Sequence, residues 1–136
     1  MQFERDLRAE ENFLGWEIDE KYIANVTASF EGPAFANSLS LLAYIDGKVV
    51  DRIDSAKICS RFDGSVKAYL DWICVIKSYR HKGVAQMLLK ELRRQLKKSG
   101  VETLIALTDS NEASQRFYRK VPNSEMKNTG IWIDII

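Results

Sequence analysis

The sequence predicts a mixed α/β fold in one domain, with an antiparallel meander, a central β-α-β unit and flanking helices. Three observations predict it. Two Asp-Gly pairs, Asp46-Gly47 and Asp63-Gly64, each separate apolar runs, and the favoured two-residue hairpin turn needs positive φ at both of its central positions. A strongly amphipathic stretch follows at 83–98. A short apolar run at 101–107 then completes a strand-helix-strand unit, whose two strands should be parallel.

The elements follow in order. Residues 4–30 are charged, with Phe13, Trp16, Tyr22, Ile23 and Val26 at helical spacing, and predict one or two amphipathic helices stopped by Gly32-Pro33. Strands are expected at 39–45, 49–61 and 66–76. In the helix at 83–98, Val84, Ala85, Leu88, Leu89, Leu92 and Leu96 form one stripe. Lys97 and Lys98 suit the negative end of its dipole, and Gly100 suits the position just past it. A second helix is expected at 111–121 and a closing strand at 130–136. That last apolar run leaves open a homodimer paired through it.

The 136 residues provide for one core. With 20 Lys and Arg against 19 Asp and Glu, the net charge of +1 gives no general attraction to nucleic acid or a membrane surface. The charged N-terminus has no apolar stretch suited to a signal peptide, and no run has the length of a membrane span, so the expected address is cytoplasmic. Cys59 and Cys74 lack CxxC spacing and are expected to be reduced. His81 is the only histidine, so no metal is expected.

The chemistry is expected in the loop Lys77-Ser78-Tyr79-Arg80-His81-Lys82-Gly83-Val84-Ala85, between a strand and an amphipathic helix. Open α/β sheets place ligands at such junctions. The first turn of a helix has unpartnered N–H groups and a partial positive charge. Gly83 lets the backbone come close to a ligand, Ala85 keeps that approach small, and Arg80, His81 and Lys82 add positive character. Together they suit a pyrophosphate. Neither GxxxxGK[ST] nor GxGxxG is present, so ATP hydrolysis has no support.

Arg80-x-x-Gly83-x-Ala85, with the apolar strand LDWICV before it and the MLLKEL helix after it, resembles the Gln/Arg-x-x-Gly-x-Gly/Ala signature of the GNAT acetyltransferases. The segment Asn111-Glu-Ala-Ser-Gln-Arg-Phe-Tyr118 is similar to that family's Asn…FY helix, at the expected distance downstream. The resemblance implies acetyl-CoA as co-substrate and an amine, on a small molecule or on a peptide or protein, as acceptor. It implies that the backbone of Ile73, Cys74 and Val75 pairs with the pantetheine arm and that the amides of Arg80, His81, Lys82, Gly83, Val84 and Ala85 hold the pyrophosphate. Asn111 would hydrogen-bond the cofactor and Tyr118 would act as general acid. Helical spacing puts Asn111, Ser114 and Tyr118 on one stripe, apart from Ala113, Phe117 and Val121. Transfer would be direct, in a ternary complex.

Two positions depart from the family pattern. Ala106 stands where some members carry a glutamate base, and Val121-Pro122-Asn123 stands where Leu-Gly-Phe is frequent. Asp71 is the nearest substitute for the base: it shares strand parity with Ile73, so the two side chains are expected on one side. A structural carboxylate is the equal alternative. Trp16, Glu17, Asp19 and Glu20 offer an aromatic and acidic lining for a cationic amine, or else a solvated helix face anchored by Trp16. A non-catalytic acyl-CoA binding or sensing module is the competing expectation; it would keep Arg80, Gly83 and Asn111 without depending on Tyr118.

Overall fold

The computed structural model describes residues 1–11, 14–108, 112–126 and 130–135. Two helices open the chain. In α1 (Gln2–Glu10), Phe3, Glu4 and Leu7 fall on one face and are buried. In α2 (Glu20–Ser29), the Asp19 side chain accepts the Tyr22 N–H at 2.7 Å, satisfying one of the donors that a helix start leaves open.

The meander follows as β1 (Ser38–Ile45), β2 (Lys48–Cys59) and β3 (Val66–Val75), each antiparallel to the next. Asp46 and Gly47, with φ of 50° and 77°, make the tight turn that the sequence predicts. The second connection differs from expectation. Asp63-Gly64 lies in a longer loop, closed by the Ser60 N–H on the Ser65 C=O at 3.0 Å. There the Asp63 carboxylate takes the Ser65 N–H at 2.9 Å, so the aspartate shapes the loop with its side chain.

After β3 comes a 3-10 turn (Lys77–Tyr79), then α3 (Val84–Lys98) and β4 (Thr103–Ala106), giving a four-stranded mixed sheet in the order β1-β2-β3-β4. α3 buries Val84, Leu88, Leu89, Leu92 and Leu96 and packs on β1, β2 and β3, whose core positions include Ile53, Ala68 and Leu70. A separate cluster forms under α1, where Phe3, Leu7 and Ile76 gather Val49, Trp72, Cys74 and Tyr79 around them. No helix among the described residues is long and apolar enough to cross a membrane.

Two compact units emerge, Met1–Ile105 and Ala106–Ile136. The second contains α4 (Glu112–Arg119), in which the Phe117 and Tyr118 rings meet edge to face at 5.2 Å. After it, the Ser124 hydroxyl donates to the Tyr118 and Val121 carbonyls. The closing strand expected at 130–136 does not form in 130–135. A strand needs a neighbour for its N–H and C=O groups, and among the described residues no strand pairs with this segment. Its side chains stay exposed, Ile131 at 82% and Ile135 at 91%.

Asp51 is the anomaly of the core. It is 0% exposed, in mid-sheet, and its carboxyl oxygens lack hydrogen-bond partners among the described residues. Burial pushes the carboxyl up to about 7, against a smaller opposing pull from the Arg52 backbone. The folded state therefore keeps a proton that the unfolded chain, at the ordinary value of 3.8, has released. Stability falls as pH rises through the window from 3.8 to about 7. Asp51→Asn should flatten that fall, shifting the stability difference in the variant's favour by up to about 4 kcal/mol between acid and mildly alkaline pH. Urea midpoints across that range measure it; a difference independent of pH would mean that Asp51 is charged throughout.

Candidate cofactor and acceptor site

The site is built at the end of β3. The Ile76 N–H bonds the Val50 C=O at 2.9 Å, so the facing pair Ile76 and Val50 is hydrogen-bonded. Alternation along an antiparallel ladder then turns Cys74 toward Arg52 and points the N–H and C=O groups of Ile73 and Val75 away from β2. On that outer side β4 begins beside Val66, where the Glu102 N–H meets the Val66 C=O at 3.1 Å. β4 has 4 residues against 10 in β3. It therefore covers the first part of β3 and leaves the edge at Ile73 and Val75 without a strand among the described residues.

The chain then turns into α3. Arg80 donates its N–H to the Lys77 C=O at 3.2 Å, and the next backbone bond to be found is Met87 N–H to Gly83 C=O at 3.1 Å. The N–H groups of His81 through Gln86 have no backbone partner among the described residues. His81 and Gly83, with φ of 60° and 78°, bend the backbone in the left-handed region, and successive amides in such a turn converge on a concavity suited to an anion. A Cβ on Gly83 would meet nothing within 4 Å, so the glycine answers to the backbone angle and leaves open space in front of it. Lys82 and Lys48 flank the Tyr79 ring at 5.4 and 5.7 Å.

The Arg80 side chain turns away from this concavity. Its Nε donates to the Val75 C=O at 3.1 Å and its Nη1 to the Glu11 carboxylate at 2.8 Å. Beside it, Glu10 accepts both the N–H and the hydroxyl of Ser78 at 2.7 Å, bonds that hold its carboxyl below the ordinary value. Two glutamates at the C-terminal end of α1 oppose the helix dipole, and both are compensated by the loop. Sequence reasoning missed Glu10, Glu11 and Lys48. Acidic residues at the wrong end of a helix were the available signal for the first two.

On the α1 side of the sheet lies a cleft of about 280 Å³. Trp16, Tyr22 and Trp72 give it aromatic walls; Glu4, Asp54 and Asp71 give it carboxylates. Arg52 bridges two of these, with Nε 2.9 Å from Asp54 and Nη1 3.5 Å from Glu4, and lies over the Trp72 ring. Glu4 also accepts the Tyr22 hydroxyl at 2.7 Å. Trp16 is half exposed beneath the Arg8 guanidinium, which also donates to the Trp16 carbonyl; it is a cleft wall, not a core anchor.

Asp71 reaches this cleft by a route that parity did not foresee. Asp54 faces Trp72 and Ser55 faces Leu70, so Asp71 is the extra residue of a β-bulge. The bulge breaks the alternation, and Asp71 borders the same cleft as its neighbour Trp72. It is exposed, and no hydrogen bond or ion pair holds it among the described residues.

Of the other residues expected at the site, Tyr118 lies on α4 in the second unit and Asn111 lies outside the described residues. Cys59 and Cys74 are both free thiols, and burial pushes Cys74 up to about 11. Among the described residues no group of three or more His, Cys, Asp or Glu side chains is placed to hold a metal ion.

Comparison with known proteins agrees with this architecture. The model of the Acetyltransferase (GNAT) family matches residues 2–121. Among solved structures, the aminoglycoside acetyltransferase meta-AAC0020 from an uncultured soil metagenomic sample, in complex with sisomicin, superposes with a TM-score of 0.81 at 15% identity, over 99% of this chain and 87% of that one. The aminoglycoside N-acetyltransferase AAC(6')-Iy in complex with CoA gives 0.72 at 20% identity, over 100% and 93%. A ribosomal-protein-alanine N-acetyltransferase from Brucella melitensis biovar Abortus 2308 gives 0.62 at 18%, over 73% and 72%. At these identities the likeness is one of fold. No curated protein sequence matches. The family model, spanning most of the chain, and the strand-loop-helix junction described above lead to one conclusion: this chain belongs to the GNAT acetyltransferase family.

Proposed function

We propose that the chain moves an acetyl group from acetyl-CoA to a primary amine by direct attack in a ternary complex. The observation that carries this reading is the open edge of β3 running into the unpartnered amides of His81 to Gln86. An extended pantetheine arm with amide groups suits the first, and a pyrophosphate suits the second. The CoA complex of AAC(6')-Iy, a neighbour in fold, supports the same ligand.

Bound at this junction, acetyl-CoA supplies the acyl group and a thiol leaving group. The chain's own residues do the rest. Ile73 and Val75 would offer backbone N–H and C=O groups to the arm, and the Val75 N–H would meet the negative charge that develops during attack. Asn111 adds a hydrogen bond to the cofactor. Asp71, bordering the aromatic and acidic cleft, would take a proton from the incoming ammonium, since only the neutral amine attacks. The Tyr118 hydroxyl would give a proton to the departing sulfur; a phenol is less acidic than a thiol, so its effect would depend on position. Cys74, held neutral by burial, is unsuited to an acyl-enzyme route, in which a thiolate is the nucleophile.

Calorimetry with CoA tests the cofactor site. Wild type should bind, and Gly83→Glu, which sets a negative side chain in the open space before the amides, should weaken binding at least ~10-fold while keeping its circular dichroism spectrum. The left-handed backbone there costs a non-glycine residue about 1–2 kcal/mol, too little to unfold a domain of ordinary stability. No binding by folded wild type would overturn the reading.

With an amine acceptor, Tyr118→Phe should lower kcat by about 10²-fold or more with CoA affinity unchanged. CoA binding with no transfer to any amine, and with Tyr118→Phe indistinguishable from wild type, would instead identify a binding or sensing module. Asp71→Asn should lower kcat/KM most at acid pH, where the acceptor is protonated, the deficit closing as pH approaches the amine's own pKa. A constant deficit across pH would remove Asp71 from proton transfer.

A further inference from the structure

Arg80 directly precedes the amides of the anion concavity, yet its guanidinium is engaged elsewhere. One donor lies on the Val75 carbonyl at 3.1 Å and another on Glu11 at 2.8 Å. The Val75 carbonyl belongs to the outward-facing edge of β3, so the guanidinium occupies the place where an added strand would find its acceptor. We infer that Glu11 is a positioning residue for cofactor binding: it holds Arg80 over that edge and gives it up to the anionic group arriving at the start of α3.

The two glutamates at the end of α1 are not equivalent. Glu10 takes two bonds of 2.7 Å from Ser78 and fixes the loop to the helix. Glu11 holds Arg80 through a single contact between side chains that keep 36% and 32% of their exposure. An ion pair so exposed contributes little. A pyrophosphate, with more charge and more acceptor oxygens, offers a guanidinium paired hydrogen bonds of greater strength. The exchange therefore runs toward the ligand. It also clears the Val75 carbonyl in the same movement, because one side chain makes both contacts. Glu11 competes with the cofactor for Arg80, and wild-type affinity is lower for it.

This inference rests on acetyl-CoA being the ligand, and a double-mutant cycle separates the two claims. CoA affinity is measured by calorimetry at low salt for wild type, Glu11→Gln, Arg80→Gln and the double variant, each checked for fold by circular dichroism. Glu11→Gln should tighten CoA about 2–5-fold, Arg80→Gln should weaken it, and Glu11→Gln should change nothing in the Arg80→Gln background. Weaker binding by Glu11→Gln would show that the ion pair supports the site. Equal tightening in both backgrounds would reduce Glu11 to one negative charge in the surrounding field. Either result overturns the role of Glu11 while the cofactor reading stands. Binding by none of the four folded proteins would overturn the cofactor reading itself, and the role of Glu11 with it.

Discussion

The hydrogen bond from the Ile76 N–H to the Val50 carbonyl decides the chemistry available at the end of the sheet. By closing the ladder at that pair it fixes the phase of every residue before it on β3, so that Ile73 and Val75 present their backbone groups outward and Cys74 does not. Shifted by one residue, the same strand would turn the backbone groups of Cys74 outward and those of Ile73 and Val75 toward β2. The phase is held on both sides. Ile76 is buried with Phe3 and Leu7 under α1, and Ile53, opposite Ile73, is buried in the core. Apolar burial on two faces thus sets a polar edge, which is the sense in which the core serves the site.

The short β4 is the second constraint. An edge remains open only where a neighbour stops, and four residues cannot cover ten. An exposed strand edge invites pairing with another chain. Here Arg80 covers part of it by occupying the Val75 carbonyl. The residue whose side chain protects the edge thus also adjoins, in the chain, the unpartnered amides from His81 to Gln86.

Much of this was legible in the sequence because it depends on local pattern. The stripe from Val84 to Leu96, the positive-φ turn at Asp46-Gly47 and the glycine before α3 are each written within a few residues. What was not legible depends on residues far apart. Glu10 and Glu11 meet Ser78 and Arg80 across 68 and 69 positions, and Glu4 meets Arg52 across 48; no periodicity encodes such pairs. The run 130–136 misled in the other direction, since an apolar alternation marks a segment able to be a strand but does not supply a partner. Parity misled at Asp71 for a related reason: a bulge depends on how the facing strand packs, which the strand's own pattern does not record.

That bulge also accounts for the division of labour among the carboxylates of the cleft. Glu4 and Asp54 are committed, the first to Tyr22 and Arg52, the second to Arg52 alone. With one guanidinium shared between them and lying over Trp72, they form a braced wall whose charges are largely spent. Removing one member of such a partly buried network leaves an uncompensated charge. Asp71 differs only because one extra residue carries it out of the strand's alternation and into the open cleft. There its carboxyl has no hydrogen-bond or ion-pair partner among the described residues. An acceptor bearing an ammonium group would meet aromatic walls and a single uncommitted carboxylate.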